Sequence, residues 1–188
     1  EILIKNLDRA AVLIKNFKEI SVDQSSEGFR DFELNAYIQE IVSTFRSELK
    51  RNNVRLELQL SSEPIEMNTY PGAISQVVIN LLQNAIIHAF DQTQDAKIIL
   101  KSEAVDTHAM ITCSDNGKGV NEDVISKIFE PFVTTTRNMS GTGLGLNITY
   151  TLVTQTLKGL NKLAKHTDGV STFVLTCHRV LSGKCGLC

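Results

Sequence analysis

The chain has 188 residues, 42% apolar and 21% charged, with 19 Lys and Arg against 21 Asp and Glu. A chain of this size hides roughly 70% of its unfolded surface, enough for one core without staples, and the balanced charge excludes a basic nucleic-acid binder. No apolar run reaches the ~18 residues of a membrane span, and four cysteines are too few and too scattered for a disulfide framework.

The opening Glu1-Ile-Leu-Ile-Lys5 has neither a signal-peptide pattern nor an initiator Met, so a cytoplasmic fragment of something longer is expected. Leu3, Leu7, Ala10, Ile14 and Phe17 recur at coiled-coil spacing. They suit either a helix packed on its own domain or the stub of a dimerising hairpin over 1–20. The polar stretch that follows favours the stub, and residues 21–31 read as a linker. Asn35 is placed to cap a helix whose apolar face runs Ile38, Ile41, Val42, Phe45 and Leu49, ending at Asn52-Asn53. Val54, Leu56, Leu58 and Leu60 alternate with polar residues as a strand does, and Ile65 and Met67 suggest a short companion. Pro71 opens a helix with a broad apolar face from Ile74 to Ile86. Residues 97–105 and 108–114 read as a hairpin turning at Asp106-Thr107, residues 121–129 as a short helix, and Thr134–Gly145 as a loop leading into a helix through Leu157. Val170–Cys177 reads as a closing strand. The mixture lacks strict alternation, which predicts an α+β two-layer sandwich over residues 32–178 rather than a doubly wound sheet. Residues 179–188 form a tail, whose Cys185-Gly-Leu-Cys188 is half a zinc motif and reads as frayed chain.

Three stretches carry chemistry. Asn80, Asn84 and His88 are four apart on one otherwise apolar helix. Amide oxygens there suit a hard cation such as Mg²⁺, although a bonded structural Asn and a surface His would also account for them. Asp115-Asn-Gly-Lys-Gly119 follows a strand directly. It reads as a tight turn, or as a carboxylate beside glycines that admit a flat ligand, one oxygen accepting from an exocyclic amine such as that of adenine. A calcium loop fails because Gly119 stands at a ligand position. Gly141-Thr142-Gly143-Leu144-Gly145 opens a helix and offers backbone N–H groups to an anion. Leu146 at the third glycine position excludes a Rossmann fingerprint, and the missing Gly-Lys-Ser/Thr ending excludes a P-loop.

Taken in order, Asn80…Asn84, Asp115–Gly119, Phe129-Glu-Pro-Phe132 and Gly141–Gly145 resemble the N, first glycine, F and second glycine boxes of sensor histidine kinases. Their ATP-binding domain belongs to the GHKL superfamily, shared with gyrase, a heat-shock chaperone and MutL. The resemblance implies a Bergerat-type fold, a mixed sheet with helices on one face, and ATP with Mg²⁺ held between the layers under a mobile lid. It implies that Asn84 binds the metal and Asp115 reads the adenine amine, while Gly117 and Gly119 let the base lie close. Gly141, Thr142, Gly143, Leu144 and Gly145 would hold phosphates, and Thr172 would add a contact near the base. Residues 134–140 would be the lid, with Arg137 reaching the γ-phosphate. In hydrolysing relatives and serine kinases a glutamate usually stands where Asn80 does. Asn80 cannot take a proton, which fits an acceptor histidine that is already nucleophilic.

Some positions depart from the pattern. Ile87 replaces a basic residue, leaving His88 as the substitute phosphate contact; Lys158-Gly159 stands for a glycine pair; and Ser171 replaces a glycine. None of the four histidines has an acidic neighbour in a suitable helix, so the acceptor helix is expected upstream, with Glu1–Ile20 resembling the second hairpin helix. The implied partners are that helix, a response regulator receiver domain and a second copy of the parent as a homodimer, with no nucleic acid. The alternatives are an ATPase or serine kinase of the same superfamily and a non-catalytic nucleotide-binding interaction module.

Overall fold

The computed structural model describes residues 28–90, 93, 95–133, 143–167 and 170–180. The N-terminal stripe, most of the linker, the 134–142 loop and the CxxC tail lie outside the described residues. Strand β1 (Arg30–Glu33) leads directly into helix α1 (Leu34–Arg51), so Arg30 and Asp31 belong to a strand rather than to the linker. Glu33, not Asn35, caps that helix. Its Oε1 accepts from Asn35 N at 3.0 Å and its Oε2 from Ala36 N at 2.6 Å. Asn35 is used for tertiary fastening instead. Its Nδ2 donates to Ser61 O at 3.2 Å and to Glu63 O at 3.4 Å, and its Oδ1 accepts from Ser102 Oγ at 2.6 Å.

Strand β2 (Arg55–Gln59) and strand β3 (Glu66–Thr69) follow, and then helix α2 (Pro71–Asn84), which continues as a π-turn over Ala85–Ala89. Strands β4 (Lys97–Val105) and β5 (His108–Asp115) form the expected hairpin. Only Glu122–Ile125 of the anticipated 121–129 helix is helical (α3). Helix α4 (Gly145–Thr151) also ends in a π-turn, Leu152–Thr156, ahead of strands β6 (Leu160–Thr167) and β7 (Val170–His178). The main sheet has the order β2-β4-β5-β7-β6, with β2 and β4 parallel and the other pairs antiparallel. Strand β3 is a companion of β1, not of β2, and the two form a separate small sheet.

Alternation along the hairpin puts Ile98, Leu100, Ile111 and, on β7, Leu175 at 0% exposure on one face of the sheet. Helix α2 covers that face with Ile74, Val77, Val78 and Leu82, and it packs between α1 and α4. Burial of each such side chain contributes roughly 1.5–3 kcal/mol. The helices therefore lie on one side of a mixed sheet, giving the two-layer α+β architecture. The Lys158-Gly159 step has a steric cause. Lys158 sits at φ 54°, a left-handed conformation that a non-glycine residue adopts at a cost of roughly 1–2 kcal/mol. A Cβ on Gly159 would lie 1.7 Å from Thr176 O, so glycine is indispensable only at the second position.

Candidate active site

A cavity of about 680 Å³ opens between α2, the end of β5 and the start of α4. Asn84 reaches it from α2, Asp115 from the end of β5, and Gly143 and Gly145 from the start of α4. His88 and Gly119 also line it. The three motifs, distant in sequence, thus converge on one space.

Asp115 is held in place by its own loop. Its carboxylate accepts from Gly117 N at 3.1 Å and from the backbone N–H of Ser171, its register partner on β7. Burial pushes its pKa from 3.8 up to about 6, against the pull of those two donors. Only the ionised form offers both oxygens to donors, so ADP affinity is expected to be full above about pH 6. Below it, affinity should fall by up to about tenfold per pH unit; calorimetric titrations between pH 5 and 8 measure this. Fold stability runs the other way: a carboxyl with a raised folded pKa stabilises most below 3.8 and loses that contribution as pH rises through about 6.

Gly117 does not itself line the cavity. A Cβ there would meet Ala89 O at 2.4 Å, while Lys118 N donates to Ala89 O at 3.0 Å. Its lack of a side chain lets the loop press against the end of α2. Asn116 closes the other side: its Oδ1 accepts from Lys97 N at 2.7 Å and its Nδ2 donates to Asp95 O at 3.0 Å. Gly119 and Gly143 sit at φ 75° and 68°, where glycine is preferred. Phe132 N donates to Gly143 O at 2.8 Å and Asn147 Nδ2 donates to Phe129 O at 2.9 Å, tying the Phe129–Phe132 turn to the glycine segment.

Asn80 faces the cavity with its amide already engaged. Its Oδ1 accepts from Gln76 Nε2 at 3.1 Å, and its Nδ2 donates to Gly145 O at 3.2 Å and Thr149 Oγ1 at 3.4 Å. Those bonds make it a residue that positions α4 on α2. Asn84 is different: its Nδ2 is buried without a protein hydrogen-bond partner, and a Cβ on Gly145 would lie 3.5 Å from its Oδ1. A buried amide with spare bonding capacity facing a cavity points to a ligand there. Burial, and then the Lys118 ammonium, lower the His88 pKa below the ordinary 6.5. The lowered pKa favours the neutral ring of His88 at pH 7.

Two expected contacts are corrected. Thr172 points to the opposite face of β7, where its Oγ1 pairs with Ser114 Oγ at 3.0 Å. Strand parity instead brings Ser171 and Phe173 to the cavity. Leu144 is 3% exposed and is not part of the cavity wall. Arg137, Gly141 and Thr142 lie outside the described residues. Sequence reasoning missed Lys118, a cation at the wall, and the apolar Val120, Ile128 and Leu146. Cys113 also lines the space, with a thiol pushed by burial, and then by Asp115, up to about 12 and thus inert.

Residues 69–180 match the family of histidine kinase-, DNA gyrase B- and HSP90-like ATPases, and the chain belongs to that ATP-binding family. It is similar to sporulation kinase A of Bacillus subtilis (24% identity over 94% of this chain and 28% of that protein). It is also similar to the sensor protein kinase PilS of Pseudomonas aeruginosa (31% over 73% and 26%). The chain spans about a fifth to just over a quarter of the length of the first curated relatives it matches. Among solved structures, the catalytic domain of histidine kinase ThkA superposes with a TM-score of 0.71 at 28% identity, covering 81% of this chain and 96% of that one. The fold is therefore that of a histidine kinase catalytic domain.

Proposed function

We propose that this chain is the ATP-binding catalytic domain of a sensor histidine kinase, which transfers the γ-phosphoryl group of ATP to a histidine on a dimerisation helix. The observation that carries this reading is the convergence of Asn84, Asp115, Gly143 and Gly145 on one cavity, with an amide at position 80. Asp115 would accept from the adenine amine between the apolar walls, and backbone N–H groups at the start of α4 would face the phosphates.

The residues present suit Mg²⁺ as the counter-ion. Asn84 lines the cavity and its Oδ1 would supply one neutral oxygen, facing Gly145, which carries no side chain to block an approach. When bound, the ion would neutralise charge on the phosphates. Asn84→Ala should lower Mg²⁺-dependent ADP affinity by about tenfold or more while changing metal-free binding far less. Equal losses in the two calorimetric titrations would remove Asn84 as a metal ligand.

Asn80, amide-bonded on both sides, has no lone base to offer water or a hydroxyl, which supports a histidine acceptor over hydrolysis or serine phosphorylation. One solved relative, ThkA, is seen in complex with the response regulator protein TrrA, which supports a receiver domain as the onward partner. The chain incubated with Mg-ATP and a separate helical hairpin bearing the acceptor histidine should label the hairpin and not itself. Label on this chain, or steady phosphate release without the hairpin, would contradict the reading.

A further inference from the structure

Antiparallel pairing brings two of the four histidines side by side, far from the nucleotide cavity. His108 at the start of β5 stands opposite His178 at the end of β7. Arg179 N donates to Thr107 O at 3.0 Å, so 107 and 179 are a hydrogen-bonded pair. That makes 108 and 178 the intervening non-bonded pair, where opposed Cα atoms approach to about 4.5 Å and side chains are closest. The ring centroids are 4.3 Å apart, with the planes tilted 36°.

The neighbours Ala109 and Cys177 are 0% and 1% exposed, so both imidazoles project from the sheet face opposite the helices. Asp115 is seven residues further along β5, roughly 24 Å away. His178 is exposed and His108 half-buried, which leaves the pair open to solvent ions. The Nδ1 of His108 lies 3.0 Å from Thr107 Oγ1. With that nitrogen donating to the hydroxyl, Nε2 carries the free lone pair, the arrangement common in metal-binding histidines.

We propose that His108 and His178 form a two-histidine chelate for a transition-metal dication of the Ni²⁺ or Zn²⁺ class on the outer face of the sheet. Imidazole nitrogen suits these ions at about 2.0–2.1 Å and is a poor match for Mg²⁺, which takes oxygen. Among the described residues no group of three or more His, Cys, Asp or Glu side chains comes together around a metal position, so water completes the coordination shell. The bound ion joins the first residue of β5 to the last of β7. It thereby reinforces a corner where Arg179 Nε already donates to Asp106 O at 3.0 Å.

The test uses the full chain carrying Cys185→Ser and Cys188→Ser, which removes the tail's thiol pair as a competitor. NiCl₂ is titrated by calorimetry, and the histidine ring signals are followed by NMR. The site predicts one saturable ion, broadening at His108 and His178, and no response to MgCl₂. Because loss of one arm removes the chelate effect, His108→Asn and His178→Asn should each weaken binding by about tenfold or more. Unchanged ADP affinity in both variants shows that they remain folded. Absence of Ni²⁺ binding, affinity unaffected by either substitution, or broadening confined to His88 or His166 would overturn the proposal.

Discussion

Asp115→Asn is expected to lower ADP affinity by about a hundredfold or more, with no fall in melting midpoint at pH 8. Asparagine keeps the shape but halves the number of acceptor oxygens. Gly117 N and the backbone N–H of Ser171 donate to this one group, and in the proposed complex the adenine amine would be a third donor. A single amide oxygen cannot serve three donors, and the new NH₂ faces donors instead of accepting from them. A hydrogen bond to a charged acceptor is worth roughly 1.5–3 kcal/mol, and an unpaired buried donor adds a further cost. Stability moves differently, because ionising this buried carboxyl at pH 8 opposes folding by about 3 kcal/mol for a rise from 3.8 to about 6. The neutral amide removes that opposition and so offsets the weakened loop bonds. Calorimetry and a thermal melt on the same sample separate the two effects. Undiminished ADP affinity would take Asp115 out of the site.

Gly159→Ala is expected to produce the largest loss of stability, about 3 kcal/mol or more, or roughly 6–12 °C in melting midpoint. The added methyl would sit 1.7 Å from Thr176 O and 3.2 Å from Cys177 Cα. Gly159 N donates to Val153 O at 2.8 Å, so the glycine is held from both sides and cannot slide away. The clash lies where α4's terminal π-turn hands the chain to β6, and relief requires separating β6 from β7. Lys158→Gly is the control: it removes left-handed strain but adds unfolded-state freedom, and should shift stability by less than about 1 kcal/mol. A melt in which Gly159→Ala behaves like Lys158→Gly would contradict the steric account.

The hairpin from Lys97 to Asp115 was legible because period-two alternation and a two-residue turn are local signals. Strand β6 was not. Leu160-Asn-Lys-Leu-Ala-Lys-His-Thr167 spaces its apolar residues at helical intervals, and Leu160 is 73% exposed. Its extended state is imposed by pairing with β7 at the sheet edge, a non-local cause. The same gap explains Thr172. Which of two adjacent β7 residues faces the cavity depends on the register that puts Ser171 opposite Asp115, and no local pattern encodes it. Asn35 looked like a cap because Asn favours caps. Glu33 holds that role, and Asn35 was committed to Ser61, Glu63 and Ser102 by the fold. The motif residues of the cavity were readable since their types are chemically constrained. The apolar walls at Val120, Ile128 and Leu146 were indistinguishable from ordinary core positions.

The most direct measurement is calorimetric titration of the chain with ADP and with GDP, each in the presence of Mg²⁺. GDP has a carbonyl oxygen at the ring position where adenine carries its amine, so in the proposed complex it would set an acceptor against the Asp115 carboxylate. The account predicts saturable one-to-one binding of ADP and at least about fiftyfold weaker binding of GDP. Equal affinities, or no binding of ADP, would contradict it.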